Sequence, residues 1–168
     1  MMQYIRPWRL TDAGDIARAL NNKRIQDNLR DGLPFPYTEA DGLDYIRHAL
    51  DAPADSQYLW AIHVDDVAVG SIGIHRKENI HYRTAELGYY LAEAHWGKGI
   101  VTAAVKEACD TVFAQTDMLR IFAEPFAHNT ASRRVLEKAG FTLEGILQKN
   151  AVKNGTVVDM ALYALIKE

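Results

Sequence analysis

Between Ala85 and Val112 the chain reads Ala-Glu-Leu-Gly-Tyr-Tyr-Leu, then Trp96-Gly97-Lys98-Gly99-Ile100-Val101-Thr102, then apolar residues at Val105, Ala108 and Val112. An extended segment thus gives way to a helical period across a turn that holds two glycines, which predicts a strand, a tight junction and a long amphipathic helix in succession. The first backbone N–H groups of a helix have no intrahelical partner, and the helix dipole adds to their pull on an anion. Glycine lets such a backbone approach a diphosphate without a side chain in the way. By itself the turn reads either as a tight connection or as a phosphate cradle. A Walker-type loop needs four residues between its first glycine and a Gly-Lys pair, whereas only Lys98 separates Gly97 from Gly99. A dinucleotide fingerprint needs a third glycine where this chain has Thr102.

Elements on either side of the junction can be read from pattern. Tyr4 to Arg9 suits a first strand, followed by a helix from near Asp12 with Thr11 or Asp12 as its cap, and Lys23 to Arg30 suits a second short helix. Thr38 with Asp41 three residues later forms a variant capping box for a helix over about 39–50. Tyr58 to Val64 and Ala68 to Ile74 flank Asp65-Asp66, a two-residue hairpin turn. Leu143 to Val152 and Val157 to Ile166 flank Asn154-Gly155, the strongest short-range hairpin signal in the chain. The resulting fold class is α/β (α+β): a mixed, mostly antiparallel sheet with helices on both faces.

Composition enters as a set of exclusions. A length of 168 residues with 48% hydrophobic content supports one sizeable core and a single domain over 1–168. A formal charge of −3 argues against nucleic acid as a partner and suits a cationic substrate better. The single cysteine, Cys109, falls on the apolar face of the long helix and reads as a core thiol. Six histidines show no paired spacing on one helix face, so no metal site is expected. No apolar run approaches a membrane span and the N-terminus lacks a signal-peptide plan, so the expected setting is cytoplasmic with no membrane partner.

A second segment gives the junction its meaning. Ala127-His128-Asn129-Thr130-Ala131-Ser132-Arg133-Arg134-Val135-Leu136 reads as a helix with a polar start, ended by Gly140. Together with Trp96 to Thr102 it resembles the GNAT superfamily of acyl-CoA-dependent N-acyltransferases. Trp96 and Val101 depart from the first and last positions of that family's glycine-rich signature. Those departures, the Glu86-Leu87-Gly88-Tyr89 strand, the Asn129-x-x-Ser132 helix and the Gly140-Phe141-x-Leu143-Glu144-Gly145 run look like the branch that includes the ribosomal-protein alanine N-acetyltransferases.

The resemblance implies acetyl-CoA as cosubstrate and a primary amine as acceptor, either a protein N-terminus or a small amine. It implies that backbone N–H groups of Gly97, Lys98, Gly99, Ile100, Val101 and Thr102 hold the pyrophosphate, with Lys98 adding charge by direct contact or at longer range. It implies too that the strand over Leu87 to Ala92 is splayed from its neighbour, pantetheine lying in the gap, and that an N–H near Leu91 or Ala92 stabilises the oxyanion. Asn129 would bond the pantetheine or cap its own helix.

An alkylamine with a pKa near ~10.4 is mostly protonated at neutral pH, so transfer needs a base or a water path. Glu86 shares a strand face with Gly88 and Tyr90, with open space beside it at Gly88, and reads either as that base or as a structural carboxylate paired with an Arg or Tyr. Asp159 and Glu144 read as structural. The family's acid tyrosine falls at Leu136, one turn beyond Ser132, which leaves Ser132 as the candidate acid against a local backbone hydrogen bond. A glutamate proposed as base in the alanine-acetylating branch falls near Ala151, which weakens a ribosomal-protein assignment. The competing function is a catalytically decayed acyl-CoA-binding module, and another nucleotide binder stands behind it. Edge strands of such a sheet leave a homodimer open.

Overall fold

The computed structural model describes residues 3–168. Seven strands form one sheet in the order β1-β2-β3-β4-β5-β7-β6. In chain order the elements are β1 (Ile5–Arg6), α1 (Ala13–Leu20), α2 (Lys23–Gln26), α3 (Glu39–Asp51), β2 (Gln57–Val64), β3 (Val67–Arg76), β4 (Thr84–Leu91), α4 (Ile100–Gln115), β5 (Arg120–Ala123), α5 (Thr130–Lys138), β6 (Thr142–Lys153) and β7 (Thr156–Ile166). Every neighbouring pair is antiparallel except β4 with β5, so the expected mixed, mostly antiparallel sheet is present.

Both hairpins form where turn chemistry placed them. Asp65 and Asp66 take φ of 49° and 68°, and Asn154 and Gly155 take 51° and 77°, the double left-handed geometry whose twist matches a two-residue hairpin. The capping box of α3 is reciprocal, with Thr38 Oγ1 accepting from Asp41 N–H and Asp41 Oδ2 accepting from Thr38 N–H.

Two expected elements are shorter. The first strand covers only Ile5–Arg6, because Pro7 has no N–H and Arg9 already begins the turn into α1. There Asp12 is no side-chain cap: its carboxylate takes two nitrogens of Arg6 at 2.8 and 2.9 Å and the N–H of Arg9. Helix α2 stops at Gln26 and does not reach Arg30, since Gln26 Nε2 donates to Leu20 O and Pro34 O and folds the following loop back.

Each sheet face has its own core. On one, α4 and α5 cover Ile62, Ile72, Ile74, Leu87 and Leu91 with Val105, Ala108, Val112 and Leu136. On the other, α1 and α3 cover Ala61 and Ala68 with Ile16, Leu20 and Ile46. Leu136 and Ile46 are fully buried, each contributing about 1.5–3 kcal/mol of transfer free energy. Cys109 lies inside the α4 core and burial pushes its thiol up to about 12, as befits an inert core group.

The central irregularity lies between β4 and β5, which pair only over Thr84–Glu86 and Arg120–Phe122. Beyond Glu86, β4 keeps its ladder to β3, whereas the chain after β5 turns onto β7: Pro125 O accepts from Ala161 N–H and Ala127 N–H donates to Asp159 O. Pro125 offers no N–H to continue the β4 ladder. The parallel pair therefore opens into the expected splay, with one strand edge on each side of a gap.

Candidate active site

Alternation along β4 divides its side chains between the two faces. Glu86, Gly88 and Tyr90 share a face, and Tyr90 packs with the α1 and α3 cluster; Leu87, Tyr89 and Leu91 pack with the α4 and α5 cluster. Glu86, at the last β4–β5 pair, therefore lies on one face of β4, and Tyr89, which meets Ser132 of α5, lies on the other.

On the α1/α3 side, Gly88 faces Gly73 across the β3–β4 ladder and Glu86 faces His75. A Cβ at Gly88 would meet nothing within 4 Å, so the glycine leaves a hollow beside Glu86, as its sequence position suggests. The His75 ring leans over Gly73, where a Cβ would come 3.0 Å from Nε2. Glu86 is half-buried, with Lys77 Nζ at 3.7 Å and Arg30 Nη2 at 3.8 Å. Arg30 also donates to Glu124 O at 3.1 Å and lies 5.9 Å from the Phe126 ring centre, so its guanidinium is held beside Glu86. The loop carrying Arg30 is tied to the tip of the β6–β7 hairpin by Lys153 to Asp31 at 2.9 Å and Asn154 to Asp27 at 3.0 Å.

On the α4/α5 side, Asn129 is the N-cap of α5, its Oδ1 accepting from Ser132 N–H at 3.3 Å. The capping role is therefore present. Ser132 Oγ is engaged as well, 2.6 Å from the Tyr89 hydroxyl. Leu136, one turn on, is fully buried. The other two acidic candidates are structural, in line with their sequence pattern. Asp159 accepts from Lys149 N–H at 2.7 Å and closes a bulge in β6, and Glu144 makes a two-point ion pair with Arg120 at 2.6 and 2.8 Å.

At the glycine-rich turn, Gly97 and Gly99 take φ of 74° and 76°, a region that costs other L-residues about 1–2 kcal/mol. Neither would place a Cβ within 4 Å of any atom, so both backbones are open to a ligand. Gly99 caps α4 with no side-chain hydrogen bond, which leaves the N–H groups of Ile100, Val101 and Thr102 without an intrahelical or capping partner. Gly97, Lys98 and Gly99 are exposed and Ile100 is buried. Trp96, in the position that departs from the family signature, donates its indole N–H to Leu91 O at 2.8 Å and ties the turn to the end of β4.

The two candidate oxyanion donors are not equivalent. Ala92 N–H donates to Val69 O at 2.7 Å and is occupied by β3. Antiparallel alternation then aims the Leu91 N–H away from β3, toward the gap.

Sequence reasoning missed Tyr89 and Arg30. Alternation along β4 assigns Tyr89 to the face opposite Glu86, but its contact with Ser132 joins residues 43 apart in the chain. Arg30 had no signal, because it lies in a loop placed by tertiary hydrogen bonds. Among the described residues no helix is long and apolar enough to cross a membrane.

The chain is similar to known proteins in sequence and in fold. Residues 4–142 match the Acetyltransferase (GNAT) domain family. The chain is 34% identical to a Bacillus subtilis protein named "Probable N-acetyltransferase YjcK", over 97% of this chain and 93% of that one. It is 36% identical to the ribosomal-protein-serine acetyltransferase of Escherichia coli, over 64% of this chain and 60% of that one. The structure of Mycobacterium smegmatis RimJ in complex with CoA-disulfide superposes with a TM-score of 0.82 at 26% identity, covering 96% of this chain and 80% of that one. With the splayed strands, the open two-glycine turn and these relatives, the chain belongs to the GNAT family of N-acetyltransferases.

Proposed function

We propose that the protein transfers the acetyl group of acetyl-CoA to the α-amine of a peptide or protein N-terminus, by direct attack in a ternary complex. The observation that carries this reading is the placement of Glu86 and Ser132 on opposite faces of β4 where β4 and β5 part. An amine entering from the α1/α3 side meets a carboxylate, and a thiol leaving toward α5 meets a hydroxyl. The turn residues fit a CoA diphosphate: two glycines in left-handed geometry with nothing over them, followed by an uncapped helix start. When bound there, acetyl-CoA supplies an activated acyl group.

The protein's own groups then have distinct tasks. Backbone N–H groups from Gly97 to Thr102 hold the diphosphate, with Lys98 adding charge. Leu91 N–H donates toward the carbonyl oxygen and stabilises the negative charge that develops on it. Glu86 takes the proton of the attacking amine, directly or through water, and Ser132 donates toward the sulfur. Cys109 is buried in the α4 core, so no acetylated cysteine stands between donor and acceptor.

The acceptor class follows from charge and cost. Freeing an α-amine of pKa about 7.7–8.0 at pH 7 costs about 1 kcal/mol, against about 4.6 kcal/mol for an alkylamine of pKa about 10.4. Arg30 and Lys77 outweigh the half-buried Glu86 carboxylate they flank, so the cluster carries net positive charge and disfavours a polyamine more than a single α-amine. A CoA-binding module without chemistry is disfavoured by the hollow beside Glu86 and the engaged hydroxyl of Ser132.

Thiol release from acetyl-CoA should be followed with peptides beginning in Ala or Ser, a lysine-side-chain amine and spermidine. The α-amine peptides should turn over fastest. Exclusive turnover of spermidine would overturn the acceptor assignment, and CoA binding without thiol release from any amine would overturn the enzymatic one.

A further inference from the structure

We propose that Tyr89 is a second proton-transferring residue of this enzyme, its hydroxyl supplying through Ser132 the proton that the leaving thiolate takes up. The inference rests on the N-acetyltransferase reading and adds to it a residue on the sheet face opposite Glu86.

Tyr89 belongs to β4 and Ser132 to α5, the helix that follows β5, so their contact joins β4 to the helix carried by the strand from which it splays. The hydroxyl oxygens are 2.6 Å apart, a short hydrogen bond between neutral groups; the Tyr89 hydroxyl can also donate to Ser132 O, but at 3.3 Å that carbonyl is the longer of its two acceptors. Each hydroxyl carries a single proton. When Ser132 Oγ donates outward to a sulfur in the gap, the proton joining the two oxygens can come only from Tyr89. The pair is then ordered in one direction, phenol to serine to sulfur.

The direction matters chemically. An aliphatic hydroxyl is a far weaker acid than a phenol, so Ser132 acting alone would end as an alkoxide in a partly buried site. With Tyr89 behind it, the charge ends on a phenolate instead. Burial pushes the Tyr89 hydroxyl up to about 12, with the Ser132 hydrogen bond acting the other way, so the phenol is protonated at neutral pH and has its proton to give.

The step balances. The amine lone pair forms the new N–C bond, and as the C–S bond breaks its electron pair moves onto sulfur. Ser132 Oγ gives its proton to that sulfur and regains one from Tyr89. The phenolate is reprotonated by water, while the amine proton leaves through Glu86 or solvent.

A purely structural contact, in which Tyr89 only tethers α5 to β4, makes different predictions. Tyr89→Phe should lower kcat with acetyl-CoA and an Ala-initiated peptide by about 10- to 100-fold, with KM for acetyl-CoA within about twofold of wild type. Ser132→Ala should do the same, and the double variant should be no slower than the slower single, because both residues serve one path. With the selenoester analogue of acetyl-CoA, whose selenolate is a much weaker base and leaves without a proton, the Tyr89→Phe deficit should shrink to within about threefold. In the ligand-free protein, the ring carbon signal of Tyr89 in tyrosine-labelled material should shift in Ser132→Ala, reporting the hydrogen bond without turnover.

An unchanged kcat in Tyr89→Phe, an equal deficit with thioester and selenoester, or an unmoved Tyr89 signal would overturn the relay. Wild-type protein that releases no thiol with any amine would instead overturn the function beneath it, and the relay with it.

Discussion

Replacing Gly99 by alanine separates what the glycine-rich turn does for folding from what it does for the ligand. Gly99 sits at φ 76° with no atom within 4 Å of where the new methyl would stand, so an added Cβ meets no steric obstacle. Left-handed geometry costs an L-residue about 1–2 kcal/mol, offset by about 0.4–1 kcal/mol from a stiffer unfolded chain, for a net loss near 1 kcal/mol. At this chain length that lowers Tm by about 2–4 °C. Gly155, at φ 77° in the β6–β7 turn and equally open, supplies a matched control far from the junction. Gly155→Ala should show the same thermal loss. Only Gly99→Ala should weaken CoA, since its methyl stands where a diphosphate must approach the backbone. Loss of one charge-assisted hydrogen bond, about 1.5–3 kcal/mol, corresponds to about 10- to 150-fold in Kd. Thermal shift and titration calorimetry with CoA read the two quantities separately. Equal Kd in Gly99→Ala and wild type, or an equal loss in Gly155→Ala, would refute the assignment of this turn to the diphosphate.

Other outcomes follow from the same geometry. Glu86→Gln should lower kcat for an Ala-initiated peptide by about 100-fold or more at pH 6.5, with recovery as the α-amine loses its proton through about pH 8; a uniform loss across that range would count against Glu86 as base. Lys153→Ala breaks the Asp31 contact that holds the Arg30 loop, so KM for the peptide should rise while stability changes by less than about 1 kcal/mol and CoA affinity is unchanged. Asp12→Ala removes the buried two-point partner of Arg6, leaving it only Asp66 at 3.2 Å and two backbone carbonyls, and should cost about 3 kcal/mol at pH 7 by denaturant unfolding. Burial pushes the Asp12 carboxyl up, but the Arg6 hydrogen bond and charge and the Arg9 N–H hold it below its ordinary value of 3.8. Its contribution is therefore complete above about pH 4 and lost as pH falls through the lowered value, so wild type and variant should converge there. A gap that stays constant down to pH 2 would exclude the pair as its source.

Legibility from sequence follows the range of the interactions involved. Asp65-Asp66, Asn154-Gly155, the Thr38–Asp41 box and the Gly99 junction are readable because each is decided within about four residues, by left-handed backbone or by a reciprocal cap. Helix α2 reads too long from pattern, because its end is set by Gln26 reaching Leu20 O and Pro34 O. Asp12 reads as a helix cap, whereas a buried arginine six residues earlier takes its carboxylate. Within the candidate site, alternation and motif are what single out Glu86, Ser132 and the turn. The roles of Arg30 and Tyr89 are not readable in this way, since Arg30 lies in no motif, Tyr89 lies in a motif strand that does not name its partner, and each acquires that partner from a distant part of the chain.

By itself, then, the sequence determined the strand-turn-helix junction, the two hairpins, the mixed sheet and the residue types able to hold a diphosphate and move protons. These are local properties of backbone and side-chain chemistry, and they survive without knowledge of what packs against what. Tertiary structure supplied the cause of the splay that the family resemblance implied: β4 and β5 part after Glu86 because Pro125 and Ala127 pair with β7 instead. It also decided that Ala92 N–H is taken by Val69, that two cations flank Glu86, and that Tyr89 stands behind Ser132. Each of these depends on a partner far away in the chain, and only the folded sheet brings such partners within hydrogen-bonding distance.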